Sequence, residues 1–251
     1  MFFVTNPNLP ENPVGLAIVD ERISSEAESE LGILGVKILK LQPHGSLYTA
    51  VCSHPDMMLH HIGGETIIYA PGTDTKLLDV LRTYGFVLLE GKSVLSPAYP
   101  ADIAYNVARV GRRYFHNLKY TDPVIKKQLE RLGAEPVHIE QGYAKCSVLP
   151  VDENSIITSD KGIAKVAEKE GLEVLLVDCG RYIQLPGLNY GFIGGAGGML
   201  GNLTCVLNGS MGKLRCYDAI SAFLSKKNII IKGLSDRQVT DIGSILPLMT
   251  I

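Results

Sequence analysis

The chain has 251 residues, 46% of them hydrophobic, enough to bury a full core as one repeat-built unit or as two ordinary ones. A formal net charge of -2 with no Lys/Arg run leaves no basic excess to neutralise phosphates, so nucleic acid is excluded as the expected partner. No segment approaches the about 18 apolar residues of a membrane span, and Met1-Phe-Phe-Val-Thr-Asn-Pro lacks a basic region followed by a long apolar run; no membrane association and a cytoplasmic location are expected.

One unit is written five times: apolar strand, turn, amphipathic helix, glycine, second apolar strand. The first copy predicts a strand over 16–20, a helix from near Ser24 with Glu28 placed to complete a capping box from Ser25, and a strand over 36–41. The second predicts a strand over 66–70, a turn at Pro71-Gly72 and a helix over 76–83. The third has a strand over 113–116 and a helix over 122–131, with Pro123 at the first helical position, where a missing N–H costs nothing. The fourth has a strand over 155–160, a helix over 161–170 and a strand over 172–177; the fifth a strand over 203–207, a helix over 215–225 and a strand over 228–232. Gly35, Gly85, Gly133 and Gly171 end the first four helices, and Asn228 stands in the fifth, since both residue types tolerate the left-handed conformation in which helices stop. Recurrence every roughly 40 to 55 residues implies stacked or circular repeats.

Between successive units lies a further predicted strand, at 55–61, 101–106, 143–149, 190–198 and 240–248. Under a pseudo-fivefold axis, Asp56, Asp102, Lys145 and Asp241 would line one central cavity, with the last strand closing the ring against 16–19. Positions i and i+4 of a strand share a face, which places Asp56 with His60 and Asp102 with Asn106. Converging carboxylates would attract an amine or guanidinium; the alternative is that each Asp caps a nearby turn. Cys146 follows Lys145, whose ammonium would favour a reactive thiolate with His60 or His61 as base, or else Cys146 is inert packing. The glycine-rich run from Gly191 to Gly201 either presents the N–H groups of Gly194, Gly195 and Gly197 to an anion or allows close backbone approach at the axis.

The five cysteines, Cys52, Cys146, Cys179, Cys205 and Cys216, are odd in number and without a Cys-x-x-Cys pair, and read as reduced thiols of a cytosolic protein. His54, His60 and His61 crowd one stretch, but His60 and His61 would face opposite sides of a strand and no third and fourth ligands lie nearby, so neither a metal nor a cofactor is expected. The oligomeric state stays open between monomer and homodimer.

The repeats resemble the pentein fold, a five-bladed α/β propeller shared by guanidino-group-modifying enzymes and translation initiation factor six. Pro55-Asp56-x-x-Leu, Ala101-Asp102-Ile-Ala, Gly142-Tyr-Ala-Lys145-Cys-Ser and Ser244-Ile-Leu-Pro-Leu resemble strand motifs of dimethylarginine-hydrolase and arginine-deiminase relatives. The resemblance implies a single pentein domain over 1–251, with repeats at about 14–62, 63–108, 109–151, 152–200 and 201–251, similar to a bacterial group for which no activity follows. It also puts the family's general-base histidine at Tyr143 and its nucleophilic cysteine near Gly243, neither a chemical equivalent, because a phenol with a pKa near ~10 is a poor base and glycine has no nucleophile. The expected function is therefore binding of a small cationic guanidino or amino ligand, held by Asp56, Asp102 and Asp241, with His60, Asn106 and Tyr143 as oriented polar contacts, Lys145 among the ligand-binding residues, and the backbone from Gly194 to Gly198 accepting an anionic end. Two alternatives are a C–N hydrolase or amidinotransferase-like enzyme built on Cys146, and an interaction module resembling initiation factor six.

Overall fold

The computed structural model describes residues 1–179 and 182–251. In chain order its elements are β1 (Phe2–Phe3), β2 (Val14–Asp20), α1 (Ser25–Ile33), β3 (Lys37–Leu41), α2 (Pro55–Met58), β4 (Leu59–Gly63), β5 (Thr66–Tyr69), α3 (Thr75–Thr83), β6 (Val87–Glu90), β7 (Ala108–Val110), β8 (Arg113–His116), α4 (Pro123–Arg131), β9 (Glu135–His138), α5 (Ala144–Ser147), β10 (Val148–Asp152), β11 (Ser155–Thr158), α6 (Lys161–Lys169), β12 (Glu173–Leu176), β13 (Gly197–Met199), β14 (Thr204–Leu207), α7 (Tyr217–Ser225), β15 (Ile230–Gly233) and β16 (Leu246–Thr250).

The strands form five small sheets, β4-β5-β6, β7-β8-β9, β10-β11-β12, β13-β14-β15 and β1-β16-β2-β3. Each of the first four pairs its first strand antiparallel with its second, and a helix then carries the chain over to a parallel third strand. Parallel neighbours require such a crossover, which accounts for one helix per unit. In the fifth sheet β16 takes the first-strand place against β2, with Leu246 opposite Ile18, so the C-terminal strand closes the ring on the N-terminal unit.

Local chemistry sets the boundaries. Ser24, Asp74, Asp122 and Asp160 cap α1, α3, α4 and α6 by accepting backbone N–H groups of the first turn. The first cap is Ser24 rather than Ser25, and Glu28 reaches Lys40 instead of closing a capping box. The helices stop where expected: Gly35, Gly85, Gly133 and Gly171 have φ of 82°, 90°, 64° and 82°, and Asn228 has 58°. The middle strands carry the core. All seven residues of β2 and all four of β11 are buried, whereas the outer β6 and β12 are half-exposed. Each buried Ile of a middle strand, such as Ile67, Ile68, Ile156 or Ile157, contributes about 2 kcal/mol.

All five predicted inter-unit strands begin as turns or irregular chain, and those predicted over 190–198 and 240–248 become strand only at Gly197 and Leu246. Pro55–Met58 and Ala144–Ser147 are single helical turns, and the strands start only at Leu59 and Val148; 101–106 is likewise a turn ahead of β7. Asp56 and His60 are thus not strand neighbours on one face, nor are Asp102 and Asn106. Pro55 sits at the first helical position, where its fixed φ suits a helix start better than an inner strand.

The five turns that precede the inner strands are joined to one another in a ring. Asp56 N–H donates to Gly243 O at 3.2 Å, Asn106 Nδ2 to Asp56 O at 3.1 Å, Lys145 N–H to Asn106 O at 3.2 Å, Gly195 N–H to Cys146 O at 2.8 Å and Ile242 N–H to Gly195 O at 3.0 Å. Every inter-unit turn is therefore tied to the next, four times by backbone alone and once through the Asn106 side chain, which is how buried irregular chain is satisfied without a ladder.

The reading of all five cysteines as reduced is corrected. Cys179, after β12, and Cys216, ahead of α7, are disulfide-bonded across 37 residues, while Cys52, Cys146 and Cys205 are free. The fold brings the exit of the fourth unit against the helix of the fifth, a proximity no sequence spacing announces. The cysteine argument for a reducing compartment loses its basis; among the described residues no helix is long and apolar enough to cross a membrane.

Candidate functional site

The ring of turns closes one end of a cavity of about 320 Å³. Tyr48, Tyr143 and Phe192 form its walls, with Tyr143 and Phe192 stacked at 6.3 Å between ring centroids. Leu185, Leu188 and Tyr190, from the segment following β12, form the rim. At its base stand His54, Cys146 and Asp241. This is a mainly apolar chamber with a few convergent polar groups, the usual make-up of a small-ligand site.

Acid lining is corrected accordingly: of the three aspartates, only Asp241 lines the chamber. Its carboxylate accepts N–H groups from Phe192 at 2.9 Å and Gly243 at 3.0 Å, and burial, with the nearby Asp56 charge, raises its pKa against the opposing effect of His54. Asp102 acts through Tyr143, whose hydroxyl donates to Asp102 Oδ2 at 2.6 Å; burial raises the Asp102 pKa, and this bond opposes it. Tyr48 and Tyr143 hydroxyls meet at 3.5 Å. The Tyr143 phenol is held far above its ordinary pKa by burial and by the Asp102 carboxylate, which removes it as a base.

Asp56 and Lys145 lie behind the base, not on the cavity wall. Lys145 Nζ donates to Ser244 Oγ at 2.7 Å and reaches Gly194 O at 3.3 Å. Ser244 Oγ in turn lies 2.9 Å from Asp56 Oδ2, to which the Cys146 thiol also donates at 3.2 Å. Asn106 fixes the arrangement: its Oδ1 accepts the N–H groups of Lys145 at 2.7 Å and Cys146 at 3.2 Å, and its Nδ2 reaches Cys146 Sγ at 3.1 Å.

Cys146 is not the activated thiolate that its neighbour Lys145 suggested. Burial, then the carboxylates of Asp56 and Asp241, push the thiol well above its ordinary pKa, while the Lys145 ammonium is committed to Ser244 and Gly194. Alkylation by iodoacetamide at neutral pH is therefore expected to mark the partly exposed Cys52 long before Cys146, as peptide mapping would register; rapid loss of Cys146 near neutrality would show that the thiolate is populated.

His60 does not stand beside Cys146. It is buried with Asp56, Lys145 and His61 around a separate small gap, its Nε2 has no partner among the described residues, and burial followed by the Arg109 charge lowers its pKa well below the usual value. The histidine near the thiol is His54, with Nδ1 3.8 Å from Asp241 Oδ1 and Nε2 3.8 Å from Asp20 Oδ2. His54 also explains Gly243: a Cβ there would lie 2.3 Å from His54 Cβ. The position to which the resemblance assigns a nucleophilic cysteine is thus packed against an imidazole, and the thiol comes from a different unit.

The glycine run follows its packing alternative. A Cβ on Gly195 would lie 2.0 Å from Asp241 Oδ1, one on Gly194 2.2 Å from Val148 O and one on Gly197 2.0 Å from Val206 O. Gly195 N–H is spent on Cys146 O, and the carbonyls of Gly194, Gly195 and Gly197 accept hydrogen bonds within the ring, so these residues build the base rather than cradle an anion. Tyr48, Phe192 and Ser244 are the site residues that sequence reasoning passed over, Ser244 although it lay in a quoted motif; His54 was weighed only as a metal ligand.

Five linked α/β units around a chamber built from their inter-unit turns define a pentein, the fold of the guanidino-modifying enzymes. An inosamine-phosphate amidinotransferase from Streptomyces griseus is similar at a TM-score of 0.58 and 14% identity, covering 100% of this chain and 97% of that one. An agmatine deiminase from C. jejuni with substrate bound reaches 0.59 at 10% identity, covering 99% and 96%. DDAH from Pseudomonas aeruginosa complexed with citrulline reaches 0.57 at 9% identity, covering 90% and 95%. The chain itself belongs to DUF6873, a family of unknown function whose sequence profile matches residues 18–246. No curated protein matches it.

Proposed function

We propose that this pentein binds a small organic cation, with a guanidino or amino head directed at Asp241 and its remaining length between Tyr48, Tyr143 and Phe192. The observation behind this is the convergence of one buried carboxylate and three aromatic rings on a chamber of about 320 Å³. A carboxylate supplies charge-assisted, bidentate pairing to guanidinium, and the ring faces supply cation–π attraction in a desolvated space. The fold shared with guanidino-modifying enzymes points to the same ligand class.

Melting-temperature shifts against agmatine, arginine, methylated arginines, guanidinoacetate, polyamines and neutral ureas test this. A saturable rise for a cationic member, absent for the ureas, is the expected result. Asp241→Asn is expected to weaken the selected cation roughly 10- to 100-fold, the worth of one charge-assisted bond. Equal shifts from neutral ureas, or undiminished affinity in Asp241→Asn, would remove the proposal.

A second reading is favoured by Cys146 opening onto the chamber beside His54. A cation bound at Asp241 would offset the carboxylates that hold the thiol protonated, and so bring a nucleophile within reach of a C–N bond. Turnover of the selected cation that disappears in Cys146→Ala would establish it; turnover retained in that variant would dismiss it.

A further inference from the structure

We infer that the base of the chamber is a binding site for a zinc-type divalent metal ion, with His54, Asp56 and Cys146 as protein ligands. One imidazole nitrogen, one carboxylate oxygen and the thiol sulfur of these buried residues all lie within 4.8 Å of one another. They come from two different inter-unit turns, which is why the sequence, seeing only His54 and Asp56 together, offered no third ligand.

Unspent donor capacity points the same way. Both ring nitrogens of His54 and Oδ1 of Asp56 are buried without a hydrogen-bond partner among the described residues, although His54 is fully buried and Asp56 is only 1% exposed. Polar atoms at such burial are nearly always paired, and an ion coordinated by one His54 nitrogen and by Asp56 would satisfy two of them together. Coordination at the metal–ligand lengths of about 2.0 to 2.3 Å typical of zinc would draw these three side chains inward from that spacing.

The donor set selects the ion. A thiolate and an imidazole favour zinc and its soft or borderline neighbours over magnesium and calcium, which prefer all-oxygen shells. Charge selects it as well. With the thiol ionised, Asp56, Asp241 and Cys146 would place three negative charges against the ammonium of Lys145, the one cation at the base among the described residues, a deficit that one divalent ion cancels; Asp20 is already paired with Arg22. His54 and Cys146 line the chamber, so the fourth coordination position faces it, the arrangement of zinc sites that keep an exchangeable ligand.

The binding step balances simply. The hydrated ion gives up waters, the bond between Cys146 sulfur and its proton breaks, the proton now shared with Asp56 Oδ2 leaves to solvent, and the sulfur–metal bond forms. The thiol thus gives up one proton for each ion bound.

Chelator-treated protein titrated with cobalt(II) alone, without any organic ligand, tests this separately from the organic-cation proposal. Expected are saturation at one equivalent, a thiolate-to-cobalt charge-transfer band, bleaching of that band by zinc(II), and release of one proton per ion. Cys146→Ser, whose hydroxyl can still donate to Asp56, is expected to lose the band and to bind zinc at least roughly 100-fold more weakly, since a direct ligand is worth no less than the roughly 10- to 100-fold that outer-shell partners contribute. Failure to saturate at one equivalent, absence of the band in the wild-type protein, or its persistence in Cys146→Ser would overturn the assignment.

Discussion

Acidification from about pH 6.5 to about 4 is expected to lower the unfolding free energy by on the order of 6 kcal/mol through His61 and His116. Burial pushes each ring from the usual 6.5 down to about 4. His116 is held by Thr121 Oγ1 at Nδ1, 2.8 Å, and by Ile103 O at Nε2, 3.0 Å, and His61 places Nε2 2.8 Å from Gly64 O with Nδ1 unpartnered. Between the two values the unfolded chain carries a proton on each ring that the folded protein refuses, so stability is complete above about 6.5, falls as pH falls, and stops falling below about 4. His60 acts in the same direction. Asp102 and Asp241 act oppositely: burial raises both, so the folded protein takes up their protons first and regains part of the loss as pH falls through the raised values. A loss of this size rivals the whole stability of an ordinary domain, about 5–15 kcal/mol. Urea unfolding at stepped pH measures it, with His116→Gln expected to remove about half of the slope. A profile flat across this window would mean that the rings are charged inside the fold.

The fold was legible because its punctuation is local. Helix stops at Gly35, Gly85, Gly133, Gly171 and Asn228 adopt left-handed backbone, and an acidic or hydroxyl cap precedes four of the helices. The identity of the turns that build the site was legible too, since each joins one repeat to the next. Side-chain direction within those turns was not. A helical turn rotates successive side chains by about 100° and a strand by about 180°, so reading Pro55–Met58 as a strand aimed Asp56 into the chamber instead of behind it. Tyr48 and Leu185 come from segments whose place depends wholly on tertiary contact, and the Cys179–Cys216 bond joins units by geometry that spacing does not encode. Tyr143 was read as a ligand contact, and its bond to Asp102 makes it a positioned wall of the chamber.

Replacing Lys145 by Met is expected to destabilise the protein by about 3–5 kcal/mol, the cost of leaving buried charge without its partner. Lys145 is 4% exposed, and burial lowers its pKa while Asp56 and Asp241 act to restore it. Its ammonium reaches Asp56 through one hydroxyl: Nζ donates to Ser244 Oγ, and the Ser244 proton is then free for Asp56 Oδ2 or Gly194 O. Methionine keeps the length and loses the charge, which isolates the electrostatic contribution from packing. Adding Asp56→Asn to Lys145→Met is expected to recover more than half of the loss, because the unpaired carboxylate disappears with it. Denaturant unfolding of the two single variants and the double variant closes the cycle. If Lys145→Met alone unfolds within about 1 kcal/mol of the wild type, the ammonium is not the counter-ion of Asp56 and Asp241. The same variant also separates architecture from binding. Removing the ammonium leaves the base of the chamber more negative, so the affinity for an organic cation at Asp241 should rise as the fold weakens. A lysine that only filled space would lower both together.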